Sequence, residues 1–188
     1  MKIKILISRE KRYLKQKEIL NKYQKGLLTA NLNIPGINKN KPLYDMFFKK
    51  IINKILLPFL QNLKIIYSNE KQVFLKDYAG IYLNIILNTG NENLLKIIKN
   101  KLIELEEKEF ILIFLDFDLI NIKHEYIKRE FLNKKRRICF LCNRSAKICV
   151  IQQNHSLQSL LNFIEQKMKI FLSRNNSISG KSTKKLCD

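Results

Sequence analysis

Glycine and proline are scarce, with 5 Gly and 3 Pro in 188 residues, which excludes collagen-like and Pro/Gly-rich low-complexity chains. Long apolar runs are missing too. The longest, Phe110 to Ile120, is interrupted by Asp116 and Asp118 and falls well short of the roughly 20 residues a bilayer-crossing helix needs. No internal repeat is visible, and no secretory pattern opens the chain, because Arg9-Glu10-Lys11-Arg12 arrives before an apolar h-region could form. A cytoplasmic location with reduced cysteines is therefore expected. Acids are few: 16 Asp+Glu against 36 Lys+Arg, a formal net charge of +20. What is present is a 46% hydrophobic content, enough for a core in a chain the size of one domain.

The charge points first to a polyanionic partner. Two features temper a nucleic-acid reading. Lys, Ile and Asn, the residues of AT-rich codons, crowd the chain, and the acids are interspersed among the bases. A solvated Lys-rich surface explains the same number, and no nucleic-acid motif or aromatic-interleaved basic stripe is present.

Periodicity predicts a surface helix from Ser8 to Lys25, stopped at Gly26, and a strand from Leu27 to Ile34 ended by Pro35-Gly36. Pro42 sits where a helix-opening proline belongs, ahead of a helix burying Phe47, Ile51, Ile55, Leu56 and Phe59, with Pro58 expected to bend or end it. Strands are expected at Leu63–Tyr67, Gln72–Leu75 and Ile81–Leu87, and a helix over Asn91–Glu107. Glu109–Ile120, apolar on both faces, is expected to be a central strand. A helix from His155 or Ser156 to Phe171 closes the domain, taken as residues 1–172, with 173–188 expected to be a disordered basic tail. The order implies an α+β (mixed α/β) single domain, a mixed sheet flanked by helices.

Three constellations could carry chemistry. Asp116 and Asp118 are two apart in a strand, so both carboxylates face one way, an arrangement that can hold Mg²⁺ beside phosphates or simply mark a solvated strand end. Asn31-Leu32-Asn33-Ile34-Pro35-Gly36, followed by Lys39 and Lys41, is either an anion contact or an edge strand entering a turn. Cys139-x2-Cys142-x6-Cys149-x5-His155 meets the ligand count of a Cys₃His zinc site. Its spacing matches no standard finger, and small buried hydrophobes are the alternative. His124, in a polar stretch, reads as a surface histidine, and Cys187 lies in the tail.

Four blocks in this order resemble a known family: Arg9-Glu10-x-Arg12-x3-Gln16, Leu32-Asn33-Ile34-Pro35-Gly36-x2-Lys39-x2-Pro42, Leu115-Asp116-Phe117-Asp118, and Cys139-x2-Cys142-x3-Ala146-x2-Cys149-x5-His155-Ser156. The chain is similar over about residues 8 to 170 to the apo-citrate lyase phosphoribosyl-dephospho-CoA transferases, or holo-citrate lyase acyl carrier synthases. The resemblance implies a nucleotidyltransferase-like reaction. The prosthetic group of triphosphoribosyl-dephospho-CoA passes to a serine of the citrate lyase acyl carrier protein (gamma chain), and pyrophosphate leaves. It further implies Asp116 and Asp118 as the metal-binding or base pair, with Mg²⁺ the expected cofactor and Zn²⁺ a candidate. Asn33, Gly36 and Lys39 would contact the donor. Arg9, Arg12 and Gln16 would bind it or brace the site. His155 would either join the cysteines on zinc or face the substrate. No nucleic acid and no membrane are implied as partners.

Two departures stand out. The family usually carries His-Pro-x-Gly-Arg just before the Asp pair, where this chain has Glu109-Phe110-Ile111-Leu112-Ile113. It also tends to have two arginines before the His-Ser, where Ile151 and Gln153 stand here. Lysines reproduce an arginine's bidentate phosphate contacts poorly. Beside the transferase, two other readings follow: a non-catalytic basic module for RNA or another polyanion, and a degenerate homologue that binds the carrier without chemistry.

Overall fold

A computed structural model describes residues 1–65, 74–134, 137–142 and 144–174. The chain runs α1 (Lys2–Tyr23), β1 (Leu27–Leu32), α2 (Pro42–Ile51), a π-helical turn (Ile52–Leu56), α3 (Leu57–Asn62), β2 (Leu75–Asp77), β3 (Gly80–Ile86) and α4 (Glu92–Lys108). A 3₁₀ turn (Phe110–Phe114), β4 (Leu115–Ile120), a second 3₁₀ turn (Arg129–Leu132), α5 (Ala146–Ile151) and α6 (Leu157–Arg174) complete it. The architecture is α+β.

The strands form one sheet in the order β2-β3-β1-β4, and every pairing is antiparallel, so the expected mixed sheet is not formed among the described residues. Alternation along β1 gives the sheet two unlike faces. Leu28 and Ala30 join Leu83, Ile85, Leu115, Phe117 and Leu119 against Phe47, Phe48 and Ile51 of α2, Leu95 and Leu102 of α4, and Ile164 and Met168 of α6. Burying each large side chain of this set stabilises the fold by about 1.5–3 kcal/mol. The other face carries Thr29 and Asn31, which stand opposite Asp118 and Asp116 on β4 and opposite Asn84 and Tyr82 on β3.

α1 covers part of that polar face. It begins six residues earlier than the periodicity suggests, and its buried stripe is Ile5, Ser8, Arg12, Gln16 and Leu20, while Tyr13 and Leu14 are exposed. Leu20 packs with Leu27 and Ile120 in a small separate cluster. Arg12 supplies the densest polar fastening. Its Nε and Nη2 donate to Asp77 (2.8 and 2.6 Å), Nη2 also to Gly80 O (2.7 Å) and Nη1 to Asn31 Oδ1 (2.7 Å), with the guanidinium 3.8 Å over the Tyr82 ring.

Several expectations change. Pro58 neither ends nor breaks its helix. The π turn just before it widens the backbone, and α3 carries the proline within its first turn. Residues 63–65 form a turn with Lys64 at φ 54°, not a strand; the rest of Leu63–Tyr67, and Gln72 and Val73, lie outside the described residues. Of 109–120 only Leu115–Ile120 is strand, and it is an edge rather than the centre. Phe110 and Phe114 turn instead into a ring cluster with Phe140 and Phe163, which a flat strand could not supply. α5 is an additional helix, and α6 runs on to Arg174; 175–188 lie outside the described residues. Among the described residues no helix is long and apolar enough to cross a membrane.

Candidate active site

β4 places Asp116 and Asp118 side by side on the polar face of the sheet, at its edge. Asp118 is deeply set. Burial, then repulsion from Asp116, raises its pKa above the ordinary 3.8, with Lys99 and Arg137 pulling the other way. Asp116 pairs with Arg137, whose other nitrogen reaches Glu106 at 3.2 and 3.3 Å. Burial works against the Arg137 guanidinium, but Asp116 and Glu106 outweigh it and hold the charge more firmly than in water.

Around this pair lies a charged lattice built mainly by α4. Glu106, almost fully buried, pairs with Arg129 and Arg137. Lys99, also buried, caps the outer edge of β4: Leu119 O accepts from Ile127 N at 2.8 Å, and Phe117 O, pointing the same way, accepts from Lys99 Nζ. Burial lowers the Lys99 pKa, and Asp118 and Glu106 oppose the fall. Three cations thus interleave three carboxylates, each charge offset by a neighbour.

Three clefts adjoin there. One, about 300 Å³, is lined by Arg9, Arg12, Gln16, Asn31 and both aspartates. A second, about 410 Å³, runs from Asp116 and Asp118 past Tyr126, Arg129 and Arg137 to Lys147. The third, about 480 Å³ and more apolar, lies between Asn33, Arg137, Phe140, His155, Leu157 and Leu160. Arg137 lines the last two and joins them.

The residues singled out in the sequence fall into two groups. Arg9, Arg12, Gln16 and Lys39 gather beside Asp116 and Asp118. Gln16 accepts from the Tyr126 hydroxyl at 3.3 Å. Lys39 donates to Ile34 O, its pKa lowered by burial and by Arg9, against the pull of Asp116. Asn33 and His155 line the apolar cleft. Gly36 supports it from behind: its φ is +78°, and a Cβ there would stand 3.2 Å from the Leu157 methyls. His124 bonds Asn21 at 2.8 Å, away from the site.

Cys139, Cys142, Cys149 and His155 converge, with all four ligand atoms within 4.8 Å of one another, a set that could hold a metal ion. An N–H of Arg144, then His155 and Cys149, bring the Cys142 thiol down to about 6, while burial and then Cys142 raise the pKa of Cys149.

Sequence reading missed Lys99, Glu106, Arg129, Arg137 and Tyr126. One signal was available: Lys99 and Glu106 fall within the stripe Leu95, Ile98, Leu102 on α4, and charges within an apolar stripe need partners.

Comparison with known proteins identifies the family. A probable apo-citrate lyase phosphoribosyl-dephospho-CoA transferase of Streptococcus pyogenes serotype M3 is 30% identical over 181 residues, spanning 94% of this chain and 89% of that protein. Protein CitXG of Leuconostoc mesenteroides subsp. cremoris is 30% identical over 157 residues, 82% of this chain but 32% of that longer protein. A probable transferase of the same description from Vibrio cholerae is 24% identical over 164 residues, 86% of this chain. Residues 2–171 match the CitX family, described as apo-citrate lyase phosphoribosyl-dephospho-CoA transferase, and the chain belongs to that family.

Proposed function

We propose that the Asp116/Asp118 face of the sheet is where this transferase moves the triphosphoribosyl-dephospho-CoA prosthetic group onto the apo citrate lyase acyl carrier protein. The observation that carries the reading is the juxtaposition of two strand-borne carboxylates with two basic-lined clefts, which Arg137 joins to a third, more apolar one. The acceptor serine oxygen attacks the donor phosphate nearest the sugar, and a new P–O bond forms. The bond from that phosphorus to the oxygen bridging to the outgoing diphosphate breaks, and pyrophosphate leaves. Asp118, starting as the carboxylate, takes the serine proton, which burial and the neighbouring Asp116 help it hold. Arg137, Arg9 and Lys39 balance charge on the phosphates, and Arg12, with every nitrogen already hydrogen-bonded to the protein, braces α1 on the sheet.

The donor set suits a divalent ion. Among the described residues no hydrogen bond reaches the Asp118 carboxylate, and Asp116 offers its second oxygen beside it. Mg²⁺ held there would draw off developing negative charge on the phosphates. Zn²⁺ is the ion that suits the thiolate-rich Cys₃His set. A nucleotidyltransferase-like arrangement, paired carboxylates on one strand of an open sheet, fits this chemistry.

The test is direct. Purified protein, donor and apo carrier subunit are combined, and the carrier's intact mass and released pyrophosphate are followed. Labelling that disappears in Asp116→Asn and Asp118→Asn supports the reading. Labelling unchanged in both variants overturns the site, and carrier binding without labelling by the wild type would mark a degenerate homologue.

A further inference from the structure

The segment 137–156 has too little core of its own to explain its shape. Ile138, Ile148, Val150 and Ile151 are exposed, and α5 is only six residues long. Buried within it are little more than Cys139 and Cys149. Phe140 adds an edge contact to Phe114 at 5.3 Å. Small units of this kind commonly need a metal or disulfide to hold them. The cysteines here are free.

Their spacing is close to that of a metal's ligand shell, with all four ligand atoms within 4.8 Å of one another. With Zn–S near 2.3 Å and Zn–N near 2.05 Å, tetrahedral edges are about 3.8 Å for S···S and about 3.6 Å for S···N. The three edges among Cys142, Cys149 and His155 are 3.4 Å for Cys142 Sγ···Cys149 Sγ, 3.3 Å for Cys142 Sγ···His155 Nε2 and 3.9 Å for Cys149 Sγ···His155 Nε2. Amide donors surround the sulfurs as they do around thiolates: Leu141 N to Cys139 (3.5 Å), Asn154 Nδ2 to Cys149 (3.7 Å) and the Arg144 N–H to Cys142.

The knuckle is tied directly to the aspartates. Cys139 N donates to Arg144 O (2.8 Å), Ile138 bridges Ser145, and Ala146 N donates to Arg137 O (3.0 Å). Arg137 therefore forms the foot of a ribbon whose tip carries Cys139 and Cys142, and its guanidinium rests on Asp116 and Glu106.

We propose that Cys139, Cys142, Cys149 and His155 form a closed zinc site whose work is to hold Arg137 at Asp116, making the metal ligands positioning residues for phosphate binding. The coupling to phosphate rests on the Asp116/Asp118 reading above; the zinc site does not. Metal analysis of the purified full chain is expected to return about one zinc per chain. Exchange to Co²⁺ should give thiolate charge-transfer and tetrahedral d–d bands. Cys142→Ser and His155→Ala should lose the ion, and Arg137→Lys should keep it. Calorimetric titration with inorganic pyrophosphate reads the coupling. Arg137→Lys and Cys142→Ser are each expected to weaken binding roughly tenfold, and the double variant no further than either. Should Cys142→Ser misfold, wild-type protein stripped by chelator must lose pyrophosphate affinity and regain it with added zinc. A metal-free chain, or a Cys142–Cys149 disulfide, overturns the site. Single-variant effects that multiply in the double variant overturn the coupling. Metal content and cobalt spectrum need no transfer reaction, so failure of carrier labelling leaves that result intact.

Discussion

Two arginines meet the same polar face of the sheet from opposite sides, and they are held in different ways. Arg12 comes down from α1 and is 9% exposed, with its nitrogens engaged by Asp77, Asn31 and Gly80 and its plane stacked on Tyr82. Arg137 rises from the cysteine ribbon and bridges Asp116 and Glu106 while lining two clefts. A guanidinium whose every nitrogen is engaged by fixed protein groups serves chiefly to brace. One that leans on a carboxylate at a cleft wall can exchange that partner for a phosphate. Which arginines serve the ligand is thus set by how their donors are used.

The largest expected effect tests the acid beside the one on which Arg137 rests. Asp118→Asn should cut transfer roughly a thousandfold, in line with loss of a transition-state group. It should also raise Tm at neutral pH. Folded Asp118 binds its proton more tightly than the unfolded chain does. Its stabilising contribution is therefore present below the ordinary 3.8 and lost as pH rises through the raised value. The asparagine escapes that loss, and a lower Tm would count against this electrostatic picture. Next comes the direct contrast. Arg137→Lys should lower kcat/KM roughly 10–100-fold with little change in urea midpoint, whereas Arg12→Lys should lose about 2 kcal/mol of stability in urea unfolding. Equal losses in both assays for both variants would dissolve the distinction.

The apolar skeleton was readable because burial imposes periodicity. Pro42 does open α2, Asn91 caps α4 by accepting from Leu94 N, and β1 and β3 lie close to where alternation puts them. The Asp116/Asp118 alignment was readable for the same reason, since a strand leaves no choice of face. Phe110–Phe114 was not, because an apolar run looks alike as a strand or as a coiled segment wrapped in aromatic rings. The docking face of α1 escaped a hydrophobicity reading because its centre is Ser8, Arg12 and Gln16. Arg137 escaped it because its partners, Glu106 and Asp116, come from other elements and meet it only in three dimensions.

Two smaller effects sharpen the picture. Lys99→Met removes a charge that holds the Asp118 pKa down, so the acid limb of the kcat/KM profile should move to higher pH. A limb that stays in place would separate Asp118 from the proton transfer. Gly36→Ala should cost about 1 kcal/mol, measured as a lowered urea midpoint, because φ +78° strains any side chain and Leu157 must yield.

The fastening of α1 also has a consequence in time. It is made ahead of the elements it docks on, yet it buries little apolar surface, and its Arg12 is held by residues 65 and 68 positions further along, Asp77 and Gly80. During synthesis it has no place to settle until the β2–β3 hairpin has emerged and paired with β1. A helix made ahead of its partners in the sheet thus docks only after them.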